Sequence, residues 1–188
     1  MAGQALSILL FVPRAAKLKG AELIVTPERV VRERLPLDAA VDPGLLIYDL
    51  EGELFFGAAP ELDRYFDALK RRIEAHDVKF VVLRLKRVRN PDVVCIERLE
   101  HFLHDETAHG VTVLLAGVRP DTAGILKNIN LASWFPSSQV FPEEEEQYSS
   151  TLKAVRFALA ELRGARADGP APQQQTDVEL TPKLYYLV

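Results

Sequence analysis

The 188-residue chain contains little sulfur: Cys95 is its only cysteine, and it has a single methionine. One cysteine cannot form a disulfide within the chain, which excludes a disulfide-stapled scaffold and is compatible with a reducing compartment. Positive charge is not in excess either, because 23 lysine and arginine residues face 27 aspartate and glutamate residues. A mildly acidic chain is not steered broadly towards nucleic acid, so we expect no nucleic-acid partner.

Long apolar runs are also absent. The longest one near the start is Leu6 to Val12 with Ser7 counted, whereas a spanning helix needs about 20 predominantly apolar residues. A secretory signal fits poorly, because no basic residue precedes this stretch and no clear small-residue cleavage site follows it. Arg14, Lys17 and Lys19 then form a basic collar. Such a collar is typical of a cytosolic exit from a membrane, although an ordinary frayed N-terminus explains the same residues equally well.

Signatures of catalysis and nucleotide binding are missing. Neither G-x-x-x-x-G-K-[ST] nor G-x-G-x-x-G occurs, and the serines select no Ser-His-Asp arrangement. Cys95 could be a reactive thiol near a helix start, but small core filling is the more common role. His101 and His104 are neighbours on a predicted helix, where a solvated face is favoured over a metal site. We therefore expect no enzyme activity, no cofactor and no metal.

Residues 45 to 163 alternate between apolar runs and helical periodicity. Strands are predicted at Leu45–Leu50, Leu54–Phe56, Val78–Leu85, Val111–Val118 and Gln139–Phe141, with a turn at Glu51-Gly52. Amphipathic helices are predicted from Leu62 to Ile73, from Ile96 to Leu103, from Asp121 to Asn130 and from Tyr148 to Leu162. Strands that alternate with helices indicate an α/β fold with a mixed, mainly parallel sheet of about five strands, covered by four or five helices.

The rest of the chain frames this unit. Residues 1–20 form an apolar and basic stub that resembles the exit from a last membrane helix, and residues 21–44 are predicted to be a linker with short strands. The compact core is expected to start near Leu45. Residues 164–188 are rich in Ala, Pro, Gly and Gln, which predicts a disordered tail. Within that tail only Leu184–Val188 is apolar enough to dock on a partner.

Two segments in this order resemble the STAS domain family. The sequence IYDLEGELFFG, from Ile47 to Gly57, is similar to the opening of the STAS domains of SulP-type anion transporters, where a glycine turn leads to an apolar Leu-Phe-Phe strand. Val81 to Val88 is similar to the family's next strand, which runs towards an aspartate whose place is taken by Asp92. The resemblance covers residues 45–163 and implies an STAS-type (SpoIIAA-like) fold.

The resemblance also implies a function. It is that of a non-enzymatic regulatory and interaction domain at the cytoplasmic face of the cell membrane, part of a SulP-like anion transporter of the sulfate, bicarbonate or dicarboxylate type. Its partner would be the transporter's membrane domain or a second STAS copy. The alternatives are a stand-alone protein like the anti-sigma-factor antagonists, or a weak nucleotide-binding switch. In stand-alone members a serine or threonine is phosphorylated where this chain has Val94, so we expect no phosphoacceptor there.

A basic cluster precedes the second predicted helix and consists of Arg84, Lys86, Arg87 and Arg89. At the start of that helix Asn90 is predicted to cap and Asp92 to complement the helix dipole. A helix start with nearby arginines can hold an anion, although helix stability explains Asp92 at least as well. We also expect Phe55 and Phe56 to differ, one facing the core and the other a partner surface, because strand residues alternate. Contacts with an anion, a nucleotide or a protein partner are predicted for Gly52, Phe56, Gly57, Arg84, Arg89, Asn90 and Asp92.

Overall fold

Six strands form a single sheet in the computed structural model, which describes residues 18–26, 31–34 and 44–167. The strands are β1 (Lys19–Val25), β2 (Val31–Glu33), β3 (Leu45–Glu53), β4 (Phe80–Arg89), β5 (Thr112–Val118) and β6 (Val140–Pro142). Their order is β2-β1-β3-β4-β5-β6. Strands β3, β4, β5 and β6 are parallel to one another, whereas β1 is antiparallel to both β2 and β3. The predicted mixed, mainly parallel sheet is therefore confirmed.

Four α-helices accompany the sheet in the described ranges. They are α1 (Ala59–Ala75), α2 (Val93–Ala108), α3 (Pro120–Asn128) and α4 (Ser149–Ala167), with short 3-10 turns at Phe56–Ala58, Leu131–Ser133 and Ser137–Gln139. Helices α1 and α2 connect successive parallel strands, as crossover connections do in α/β folds. No helix within these ranges has the length and apolar character needed to cross a bilayer.

The larger core lies between the sheet and helices α1, α2 and α3. Apolar residues recur every three or four positions along α1 and α2, so each helix buries one stripe against the strands. The rings of Phe66 and Phe102 stack across these two helices with centroids 4.5 Å apart. The central strand β4 supplies the facing layer, in which Val81, Leu83 and Leu85 are buried.

A smaller core lies under α4 on the opposite face. There Ala154, Val155 and Ala158 pack against Ile47 and other apolar residues of the sheet. The sequence predicts an apolar stripe of Leu152, Val155, Leu159 and Leu162 on this helix, which is partly wrong: Ala154 and Ala158 are fully buried, while Leu152 and Leu159 are half-buried. Small side chains allow a helix to approach a sheet closely. The helix also continues to Ala167, so the tail does not begin at residue 164 as predicted.

Strand β3 differs from the prediction. Glu51-Gly52 is not a turn, because the strand continues to Glu53 and keeps its parallel pairing with β4. An irregularity between Asp49 and Glu51 and a φ of +131° at Gly52 accommodate this extension. The segment Leu54–Phe56 is accordingly not a second strand: Leu54 enters the core and a 3-10 turn begins at Phe56.

The compact core begins earlier than Leu45. Leu18, Leu23 and Ile24 are buried, because β1 pairs along the edge of β3 and covers it. The short strands predicted before residue 44 therefore form and join the sheet. Residues 1–17 of the predicted stub and residues 168–188 of the predicted tail, Leu184–Val188 among them, lie outside the described residues.

Candidate functional site

A cavity of about 400 Å³ lies where the carboxyl ends of the central parallel strands meet. This is the edge at which open α/β sheets usually bind ligands. The cavity wall consists of polar residues and one glycine, with five cationic side chains and three carboxylates. It is lined by Glu51, Gly52, Glu53, Arg84, Lys86, Arg87, Arg89, Arg119, Glu143 and Gln147.

A buried ion pair lies at this edge of the sheet, between β3 and β4. Asp49 and Arg84 are register partners on β3 and β4, and their side chains are 2% and 1% exposed. Arg84 Nη1 donates to both carboxylate oxygens of Asp49, at 2.9 and 3.0 Å. Arg84 Nη2 donates to the carbonyl oxygen of Gln147 at 2.9 Å, and the Tyr148 ring lies 4.8 Å from its guanidinium carbon. Pairing and hydrogen bonding of this kind allow a charge to stay buried.

Two further cations of β4 are engaged by the surrounding protein. Arg87 donates to Asp49 Oδ2 at 2.6 Å and approaches Glu51 Oε2 at 2.7 Å. Lys86 Nζ donates to the carbonyl oxygens of Glu144 and Glu146, at 2.5 and 3.0 Å. Lys86 therefore holds the backbone of Glu144–Glu146, which lie just before α4. In the described part of the chain, Arg89 has no ion-pair partner.

The predicted contact residues separate into two groups. Gly52, Arg84 and Arg89 line the cavity together, whereas Phe56, Gly57, Asn90 and Asp92 do not. The sequence analysis did not predict that Glu53, Arg119, Glu143 and Gln147 also line it. The only signal for them was their position at or just after the ends of strands, or before a helix.

The start of α2 is capped by Asp92, not by Asn90. The backbone N–H of Cys95 donates to Asp92 Oδ1 at 3.0 Å, and the helix begins at Val93. Asn90 lies two residues too early to cap and has a φ of +46°. The Asp92 backbone N–H also donates to the Leu54 carbonyl at 2.8 Å, which ties this start to the end of β3. The helix-stabilising role of Asp92 is therefore confirmed.

An exposed apolar surface adjoins this helix start. Phe56, Val93 and Val94 are 72%, 53% and 41% exposed, and we call them the Phe56 surface. Cys95 Sγ lies 3.2 Å from the Phe55 carbonyl oxygen, which places the two segments side by side. The predicted contrast between Phe55 and Phe56 was wrong in one respect: Leu54 occupies the core position, while Phe55 is half-buried. The Phe55 ring packs over Gly57, where an added Cβ would lie 2.5 Å from the ring.

Cys95 lies directly beneath the Phe56 surface. Its side chain is fully buried, and this burial raises the pKa of the thiol to about 12. A thiol that stays protonated is a poor nucleophile. Cys95 therefore fills the core, and its raised pKa argues against the reactive-thiol interpretation.

The histidines of α2 lie on its outer side. The His104 ring stacks on Trp134 with centroids 3.6 Å apart, and Trp134 Nε1 donates to Glu100 at 3.4 Å. His101 is exposed. Within the residues that the structure covers, no group of three or more His, Cys, Asp or Glu side chains is arranged to hold a metal ion.

The chain enters the fold at the same edge. The Leu18 backbone N–H donates to Glu61 Oε2 at 3.3 Å, and the Tyr65 hydroxyl donates to the Leu18 carbonyl at 3.1 Å. Lys19 pairs with Glu51 near the carboxyl end of β3. Leu18 is therefore fixed beside the start of α1, at the edge of the sheet where β3 ends.

Comparisons with known proteins agree with this fold. A family model described as the STAS domain matches residues 36–147. A sulfate transporter family protein from Wolinella succinogenes is 26% identical, with a TM-score of 0.52, over 66% of this chain and 93% of that one. The SulP transporter STAS domain from Vibrio cholerae is 23% identical, with a TM-score of 0.50, over 71% and 90% of the two chains.

The structure of an anion transporter also contains this fold. The murine Solute Carrier 26 family member A9 anion transporter is 20% identical, with a TM-score of 0.67, over 85% of this chain. The match covers 25% of the mouse protein, so this chain spans about a quarter of that transporter. No curated protein sequence matches the chain. Because the family model covers more than half of its residues, the chain belongs to the STAS domain family.

Proposed function

We propose that this chain is a non-enzymatic regulatory and interaction domain of a SulP-like anion transporter, held at the cytoplasmic face of the cell membrane. It acts by packing its Phe56 surface against the transporter's membrane domain. One observation carries the proposal: the exposed apolar side chains lie at the edge of the sheet where the chain enters the fold at Leu18. A membrane domain that precedes residue 18 would emerge beside this surface.

The Phe56 surface lies outside the buried core. Single exposed apolar residues are common on proteins, but three adjoining ones beside a half-buried phenylalanine form a patch suited to a partner. Val93 and Val94 occupy the first turn of α2, where β-branched residues have no advantage for helix formation. Their exposure is therefore better explained by contact with another surface.

The polar groups also favour a role in protein contact over a role in catalysis. The most buried cation, Arg84, is held by Asp49, and the one thiol is buried with a raised pKa. Val94 is exposed at the family's phosphoacceptor position but carries no hydroxyl group. A switch operated by phosphorylation at this position is thus unsupported, and regulation would depend on docking.

The first test is cell fractionation. An antibody against the chain, applied to fractionated cells of its source organism, should detect a membrane-bound protein that is much larger than 21 kDa. A soluble protein of about the size of this chain would contradict the transporter proposal. It would favour the stand-alone antagonist alternative.

The second test locates the interface. A photo-crosslinking amino acid at Val94, in the protein expressed from its native gene, should form a crosslink to the membrane domain. The same amino acid at Glu74, which is exposed near the C-terminal end of α1, is the control and should form none. Equal crosslinking from both positions would contradict docking through the Phe56 surface.

A further inference from the structure

We infer that the cavity at the carboxyl edge of the sheet binds a small oxyanion that keeps a hydroxyl group, of which inorganic hydrogen phosphate is the simplest example. The proposal is independent of the transporter function. It depends on a buried donor that has no hydrogen-bond partner among the described residues, on two further arginines of the wall with donors left free, and on two carboxylates in the same wall.

The unpartnered donor belongs to Arg84. Its Nε is buried and has no hydrogen-bond partner among the described residues, although Nη1 and Nη2 are both bonded. In a guanidinium group, Nε–H and one N–H of Nη2 point from the same edge, so Nε lies beside the Nη2 group that donates to the Gln147 carbonyl. Arg84 and Gln147 both line the cavity. Because a buried unpaired donor costs free energy, an acceptor atom at this edge would stabilise the protein.

Two other cations are available at the cavity wall. Arg89 is exposed and has no ion-pair partner within the described ranges, and Arg119 approaches Asp121 at 3.4 Å without a hydrogen bond to its Nε. Lys86 and Arg87 are already engaged by carbonyl and carboxylate oxygens. Arginine donors of this kind bind the oxygens of phosphate with geometric specificity.

The carboxylates determine which oxyanion fits. Glu53 and Glu143 line the cavity, are half-buried, and have no ion-pair partner in the described part of the chain. Sulfate at neutral pH has no proton to donate, so a carboxylate beside it is repulsive. Hydrogen phosphate carries a hydroxyl group that can donate a hydrogen bond to a carboxylate. A glutamate that repels sulfate can therefore stabilise bound hydrogen phosphate.

The wall argues against a nucleotide. Among the ten lining residues none is aromatic or aliphatic, so the wall offers a nucleobase no apolar or aromatic surface. Binding pockets for larger organic ligands are predominantly apolar with a few polar groups. The weak nucleotide-binding alternative is therefore less well supported than binding of an inorganic anion.

Titration of the full chain with sodium phosphate and with sodium sulfate, at equal ionic strength and pH 7, tests the inference. Calorimetry should show saturable binding of phosphate, and sulfate should bind at least about tenfold more weakly. In nitrogen-edited NMR spectra, phosphate should shift the Arg84 Nε–H signal. Absence of binding up to tens of millimolar phosphate, an unmoved Arg84 signal or equal affinity for sulfate would each overturn the proposal.

Matched variants separate the cavity from general electrostatics. Arg89→Gln should weaken phosphate binding about tenfold, whereas Arg98→Gln, an exposed arginine on α2, should leave it nearly unchanged. The double variant of Glu53→Gln and Glu143→Gln should reduce the preference for phosphate over sulfate about tenfold. Its control, Glu74→Gln with Glu97→Gln, changes net charge equally and should preserve the preference. Equal effects of cavity and control variants would overturn the inference.

Discussion

Two neighbouring regions at the carboxyl edge of the sheet reverse the usual rule that charged side chains are exposed and apolar side chains are buried. Under α4, the charged pair Asp49 and Arg84 is buried; beside α2, the apolar residues Phe56, Val93 and Val94 face outward. The buried charges have partners within the chain, so folding alone explains them. The exposed apolar side chains have no such explanation, which directs attention to a partner outside the described fold.

The largest expected effect concerns the buried thiol of Cys95, next to the exposed Phe56 surface. Cys95 lies directly beneath it, and a thiol pKa of about 12 leaves almost no thiolate at pH 8. Iodoacetamide should therefore alkylate Cys95 in the folded chain roughly a thousandfold more slowly than in the urea-unfolded chain. Mass spectrometry of the labelled protein measures both rates. Similar rates would mean that the Phe56 surface opens readily.

The second prediction concerns the buried charges. Asp49→Ala leaves the Arg84 guanidinium buried and unpaired, and should lower the free energy of unfolding by about 3 to 5 kcal/mol. Urea denaturation measures the loss. Arg87 also forms an ion pair with Glu51, and both side chains are half-exposed. Glu51→Ala removes this pair and should lower the free energy of unfolding by less than about 1 kcal/mol. Equal losses from both changes would contradict the distinction between the buried and exposed pairs.

The third prediction compares adjacent apolar residues. Leu54→Ala should cost about 2 to 5 kcal/mol, because this side chain is fully buried in the larger core. Phe56→Ala should change the free energy of unfolding by no more than about 0.5 kcal/mol, because its ring is exposed. The same urea titration serves both variants. A loss at Phe56 comparable to that at Leu54 would make the exposed ring a structural residue.

The smallest effect comes from a second buried carboxylate. Burial raises the pKa of Glu106, whereas the pKa of its exposed neighbour Asp105 is lowered by a hydrogen bond from Lys70. A raised folded-state pKa means that Glu106 stabilises the fold while protonated, and this contribution is lost as pH rises through that pKa. Glu106→Gln should therefore raise Tm by a few degrees at pH 7, with little difference near pH 4.

The control for that prediction has the opposite sign. Since Asp105 is stabilising above its unfolded pKa, Asp105→Asn should lower Tm slightly at pH 7. Thermal unfolding followed by circular dichroism at both pH values measures these changes. A higher Tm for both variants, or a gain from Glu106→Gln that persists at pH 4, would contradict the assignment.

Parts of this fold could be predicted because their sequence pattern is long enough to identify one element. The β-branched run in β4 and the three- and four-residue spacing on α2 are both of this kind. The segment Leu54–Phe56 has only three apolar residues, which is too short a pattern to distinguish a strand from a turn. It was predicted as a strand, although its first residue enters the core and its last is exposed.

The site was harder to predict, since its residues meet only after folding. Gly52, Arg84 and Arg89 were identified from one resemblance and one basic cluster, but Arg119 and Gln147 come from distant segments. Capping was misassigned by two residues, because both Asn90 and Asp92 are good caps and only the backbone path selects between them. Pairwise hydrogen bonds such as that between Arg84 and the Gln147 carbonyl have no sequence signal.

Hydrogen exchange tests the central claim, docking through the Phe56 surface, most directly. The first amides of a helix have no partner within it, so those of Val93 and Val94 exchange rapidly unless another surface covers them. Exchange should be compared between the isolated chain and the larger, membrane-bound native protein that the proposed function requires. The account predicts slower exchange at residues 55–57 and 93–94 in the intact protein, with no change around Glu74. Equal exchange in both states would contradict it.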